Sequence, residues 1–205
     1  MSRPLIVALH GVGSSARDMA AALAPLATVA DVVVLDGTEP FDHGGSGRQW
    51  FSVIGVTEDD RPLRVAGALP ALLSRLDQVA AEHDVARDEL VLLAFSQGAI
   101  MTLAMIAQQL HRGRAIAIAG RLAAPVKSPA DQPATLLLIH DRADHVMPPH
   151  LADEAKAKLV AAGHRVDLAH TNGIGHGIGP ATITAIADWL AATASCQATS
   201  TLIEG

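Results

Sequence analysis

A single cysteine, Cys196, stands among 205 residues, so no internal disulfide is available and the chain fits a reducing compartment. Tyrosine is absent, and three Phe and two Trp offer little surface for stacking nucleobases. Lys and Arg number 15 against 21 Asp and Glu, for a net charge of −6, and they form no run able to track a phosphate backbone. Nucleic acid is therefore not an expected partner. No apolar stretch approaches the ~18 residues of a membrane span. The apolar run at 5–9 is too short for a signal-peptide core and leads straight into His10-Gly11. A cytoplasmic protein with no membrane span is the expectation.

Half the residues are apolar and 18% are charged, the balance of a packed domain and not of a disordered chain. With so few aromatics, the core must come from Val, Leu, Ile and Ala. Their short continuous runs at 5–10, 31–36, 90–95, 115–119, 135–140 and 165–169 read as strands buried on both faces, as in a parallel sheet. Helical patterns fill the gaps. The first, at 15–27, carries Asp18 in its opening turn, where the helix dipole favours a negative charge. Leu69, Leu72, Leu73, Leu76, Val79 and Ala80 form an i, i+3, i+4 stripe, with Pro70 expected in the first turn of that helix. Further helices are expected at 97–110, 151–162 and 180–192.

This alternation predicts an α/β fold: a doubly wound, mainly parallel sheet of about six to seven strands with helices on both faces. A single domain is expected over residues 1–195, followed by a polar tail over 196–205. Residues 37–61 and 121–133 show no period and are expected as loops long enough to carry function.

The densest chemical signal is the segment from Leu90 to Gly98: a buried strand, a sharp turn and the start of a helix. A nucleophile elbow needs small residues two places to either side of its serine, here Ala94 and Gly98 around Ser96. It lifts the hydroxyl above a helix N-terminus, whose amides favour an oxyanion. A serine that merely caps the helix is the plainer reading of the same pentapeptide. Later segments favour the nucleophile. Asp144 follows the strand at 135–140, and His176 follows the strand at 165–169. Both fall on loops at carboxyl ends of strands, in the chain order serine, acid, histidine.

Ser96 is accordingly assigned as nucleophile, His176 as its general base, and Asp144 as the carboxylate that orients the imidazole. Asp141 competes with Asp144 for the acid, and His170 with His176 for the base. The segment Leu9-His10-Gly11-Val12-Gly13 reads as the donor loop of an oxyanion hole, with the backbone N–H groups of Val12 and Gln97 as donors. It has neither G-x-G-x-x-G nor a Walker lysine, which disfavours nucleotide binding. Ten histidines raise the question of metal, but H-E-x-x-H and cysteine pairs are absent, so no metal site is expected.

With these segments in place, the chain from Leu5 to about Leu190 resembles the phospholipase/carboxylesterase family of small α/β-hydrolases, which includes the acyl-protein thioesterases. Leu9-His10-Gly11-Val12-Gly13 is similar to the family's LHG-x-G segment, and Arg48-Gln49-Trp50-Phe51 to its R-x-W-F element, with Ser52 where Asp usually follows. Phe95-Ser96-Gln97-Gly98 resembles its F-S-Q-G elbow, Asp144 to Pro148 its D-x-V-x-P loop, and Gly175-His176-Gly177 its terminal G-H-G. Ala94 and Asp141 stand where the family commonly has glycine.

The resemblance implies an α/β-hydrolase fold and hydrolysis of short- to medium-chain carboxylic esters through an acyl-enzyme. It also implies a small-molecule ester or thioester substrate, no cofactor and often a homodimer. An acyl-protein thioesterase, a lysophospholipase or a cofactor-free perhydrolase would use the same triad. A non-catalytic binding protein on this fold would be expected to have lost part of it. Trp50 and Met147 are expected near the serine as substrate-pocket residues, with Trp50 equally readable as an anchor for the long loop. The sequence shows no long apolar lid, which favours soluble substrates of modest size.

Overall fold

The computed structural model describes residues 3–201, with side chains as far as residue 194. In chain order its elements are β1 (Leu5–Leu9), α1 (Ala16–Leu23), β2 (Asp31–Leu35), β3 (Glu39–Pro40), β4 (Arg48–Gln49) and α2 (Arg61–Glu82). There follow β5 (Val91–Phe95), α3 (Gln97–Ala107), β6 (Arg114–Ile118), β7 (Thr135–Asp141), α4 (His150–Ala161), β8 (Arg165–Thr171) and α5 (Pro180–Thr201). The six apolar runs form one sheet in the order β2-β1-β5-β6-β7-β8, parallel throughout. The two-residue strands β3 and β4 form a separate antiparallel hairpin.

Side chains alternate along each strand, so both faces of the sheet are apolar. Val7, Leu9, Leu92, Ala94, Leu136 and Leu138 pack beneath α2, α3 and α4. Ile6, Ala8, Val91, Leu93, Ile116 and Ile139 pack against α1 and α5. α3 is buried along its whole length, consistent with a helix apolar on every side. Opposite it β6 presents only Ala115 and Ala117, which lets the helix lie close to the sheet.

Four helices differ from expectation. α3 stops at Ala107 and not at residue 110. α1 ends at Leu23 and continues as a 3-10 turn over Ala24–Thr28, because Pro25 has no N–H to carry on the α ladder. α2 begins at Arg61, two turns before the leucine stripe, so Pro70 lies inside the helix and not in its first turn. The break is tolerated because Ala66, whose carbonyl loses its partner, faces solvent together with Pro70. α5 runs on past Ala192 to Thr201. Of the tail expected over 196–205, residues 202–205 lie outside the described residues. No helix among the described residues is long and apolar enough to cross a membrane.

Candidate active site

The sheet reverses its order between β1 and β5, and open α/β sheets gather their sites beyond the strand ends at such a point. Leu9 pairs with Ala94 there, so the chain leaving β1 and the chain leaving β5 emerge side by side. Ser96 follows β5 directly with φ 52° and ψ −115°, a left-handed conformation that a non-glycine residue holds only under strain. Its amide donates to Ile118 O at 2.9 Å, which fixes the turn to the end of β6. A Cβ on Gly98 would come 2.6 Å from Leu9 O, and one on Gly11 would come 3.1 Å from Ser96 Cβ. The crossing of α3 over β1 requires bare glycine at 98, and the Gly11 loop comes close enough to the serine that a side chain there would crowd it.

Strands lie about 4.8 Å apart, so β8 stands roughly 14 Å from β5. The segment from Thr171 to His176 spans that gap. His176 Nε2 lies 2.9 Å from Ser96 Oγ, and its Nδ1 lies 2.8 Å from Asp144 Oδ2. An ionised carboxylate only accepts, so Nδ1–H donates to Asp144 and Nε2 is left to accept the serine proton. The Phe95 ring packs beside the imidazole, with centroids 5.0 Å apart. Asp144 is buried, and its second oxygen accepts from Val146 N at 2.9 Å and Met147 N at 2.8 Å. His140, also buried, meets Met147 O at 2.6 Å and lies 3.5 Å from Asp144 Oδ2.

The structure thus joins Ser96, His176 and Asp144 through hydrogen bonds. The competing residues lie elsewhere. Asp141 accepts four hydrogen bonds, from Ala143 N, Thr171 Oγ1, Ile174 N and Gly175 N. Burial raises the affinity of that carboxyl for a proton, but these donors outweigh it and bring the pKa down to about 2. His170 sits 4.0 Å from Asp153, on the outer strand.

The Gly11 loop is held from both sides. Gly13 N donates to Arg48 O and Arg48 N to Ser14 O, each at 2.8 Å, so the loop runs as a third thread beside the hairpin. Among the described residues, the structure pairs neither Val12 N–H nor Gln97 N–H with a protein acceptor. His10 Nε2 accepts from Gly37 N at 2.8 Å, which leaves Nδ1–H to donate to Gly11 O at 2.7 Å. Burial lowers the pKa of this histidine and keeps it neutral.

Of the two readings of Trp50, the structure supports the anchor and corrects the pocket. Its side chain is 1% exposed, and its indole N–H donates to His10 O at 2.8 Å, so it has no surface to offer an acyl chain. Met147 remains half-buried, packed against the core below α3. Sequence reasoning missed the side chain of Gln97. Its oxygen accepts from Trp50 N at 2.8 Å and its nitrogen donates to Phe51 O at 2.7 Å, clamping the long loop to the first turn of α3. The shared presence of F-S-Q-G and R-x-W-F was the available clue. Ser52, where aspartate was the usual residue, donates to Asp42 Oδ2 at 2.9 Å, so Asp42 supplies a carboxylate to that loop.

A phospholipase/carboxylesterase family model matches residues 1–194. The chain belongs to this family. It is 36% identical over 181 residues to the esterase YpfH of Escherichia coli strain K12, covering 86% of this chain and 77% of that one. Among solved structures, esterase PE8 superposes with a TM-score of 0.81 at 25% identity, with 92% of each chain covered. A carboxylesterase from Mesorhizobium loti superposes with a TM-score of 0.78 at 23% identity, over 93% of this chain and 90% of its own, a likeness of fold. This phospholipase/carboxylesterase family member is an α/β-hydrolase and a carboxylic ester hydrolase.

Proposed function

We propose that Ser96, His176 and Asp144 are the catalytic triad and that the enzyme cleaves short- to medium-chain carboxylic esters by two-step acyl transfer. The observation that carries this reading is the continuous path from Ser96 Oγ through the His176 ring to Asp144, at 2.9 and 2.8 Å. Ser96 attacks the ester carbonyl while His176 Nε2 takes its proton, and Asp144 stabilises the imidazolium that results. The carbonyl oxygen becomes an anion facing the Val12 and Gln97 amides, which have no competing acceptor among the described residues. His176 returns the proton to the leaving alkoxide, and water repeats the sequence on the acyl-enzyme.

A fluorophosphonate probe tests the nucleophile. It is expected to label the wild-type protein and to leave Ser96→Ala unlabelled, while His176→Ala lowers kcat by about 10⁶-fold. Labelling and turnover that persist in Ser96→Ala would overturn the assignment. A panel of p-nitrophenyl esters from acetate to decanoate, run beside matched thioesters, then reads chain-length preference. Preference for the thioesters would replace the ester reading with a thioesterase using the same residues.

A further inference from the structure

We infer that Asp141 is a positioning residue that sets the reach of His176 toward Ser96, by tying together the two loops that carry the imidazole and its carboxylate. The inference rests on the triad proposed above. Asp141 is the last residue of β7 and pairs in register with Thr171, the last residue of β8. From that rung its carboxylate holds both chains as they leave the sheet. Oδ1 accepts from Ala143 N at 2.9 Å and Gly175 N at 3.1 Å. Oδ2 accepts from Thr171 Oγ1 at 2.8 Å and Ile174 N at 3.1 Å. The two amides on Oδ1 belong to the residues immediately before Asp144 and His176.

One carboxylate thus fixes the chain one step upstream of each end of the 2.8 Å imidazole–carboxylate bond. None of residues 172–176 belongs to either core cluster, so apart from the Phe95 ring beside the imidazole it is polar bonds that hold the segment crossing from β8 to Ser96. All four lone-pair directions of the carboxylate are used, so no smaller or less charged group can replace it bond for bond.

A merely structural role for Asp141 would alter stability and leave the rate of a folded enzyme alone. Asp141→Asn puts an N–H against at least one backbone N–H that now meets an oxygen, and Thr171→Val removes one of the four bonds. With a neutral p-nitrophenyl ester, kcat is expected to fall about 10- to 100-fold in Asp141→Asn, the scale of a ~1 Å misplacement. A smaller fall is expected in Thr171→Val, with KM unchanged in both. The downfield proton NMR signal of His176 Nδ1–H should broaden or vanish in Asp141→Asn, and labelling at Ser96 should slow in step with kcat. Wild-type kcat and labelling rate in a folded Asp141→Asn would overturn the inference. Should that variant fail to fold, unchanged kcat in Thr171→Val would overturn it instead. Persistent labelling of Ser96→Ala marks failure of the triad assignment, a result separate from any of these.

Discussion

Gly98 has a hydrogen where any other residue would place a carbon 2.6 Å from the Leu9 carbonyl and 2.8 Å from that of His10. Both neighbours are buried backbone at the carboxyl end of β1 and have nowhere to go. Gly98→Val is therefore expected to cost about 1–3 kcal/mol by overpacking, and to move the first turn of α3 away from β1. Thermal unfolding would show the first effect and slower fluorophosphonate labelling the second. The neighbouring Gln97 marks where local reading stops. Its backbone position was legible from the elbow, but its side chain serves Trp50 and Phe51, 47 and 46 residues away, and no spacing rule reaches that far. From sequence alone Asp144 already ranks ahead of Asp141 as the acid, and the register of β7 against β8 supplies the physical reason. It turns Asp141, at the end of β7, toward residues 171–175 and leaves Asp144, on the loop beyond, for the imidazole.

The strands were legible because a parallel sheet buried on both faces writes itself as unbroken runs of Val, Leu, Ile and Ala. The helices were less so at their ends. α2 starts at Arg61 with Pro62 beside it, and Val65 is the one buried residue of its first two turns, so the apolar stripe began later than the helix. Pro70 within it leaves one backbone acceptor to water. Pro70→Ala restores that bond and relieves the ring clash, offset in part by a freer unfolded chain, for a net gain of about 1–2 kcal/mol. The check is a higher melting temperature at unchanged esterase activity, since α2 contributes no residue to the proposed triad. Residues 37–61 resisted assignment because polar bonds organise them. Asp42 alone gathers the Gln49 amide, the Ser52 hydroxyl and the Val53 amide, and such a hub has no period to read.

Over the molecule as a whole, acid should act through groups that folding has made hard to protonate. Burial lowers the pKa of His10, His111 and His164 below the ordinary 6.5, and two of them accept backbone hydrogen bonds with a bare ring nitrogen. The unfolded chain takes up those protons first, so the stability they represent is complete above about pH 6.5 and declines as pH falls below it. Asp141 adds a second step: its folded pKa of about 2 lies under the ordinary 3.8, so its contribution persists above 3.8 and is lost on descending toward 2. Melting temperature is expected to be lower at about pH 5.5 than at about 7.5, with a further drop below about 4. A flat profile from neutral to mildly acidic conditions would contradict the buried, neutral state of these histidines.

Residues 11–14 run between the β3–β4 hairpin and the end of β5, stitched to the first and pressed against the second. A thread so bound has no slack to give. The backbone that would carry one donor of the proposed oxyanion hole is thus already set before any ester arrives.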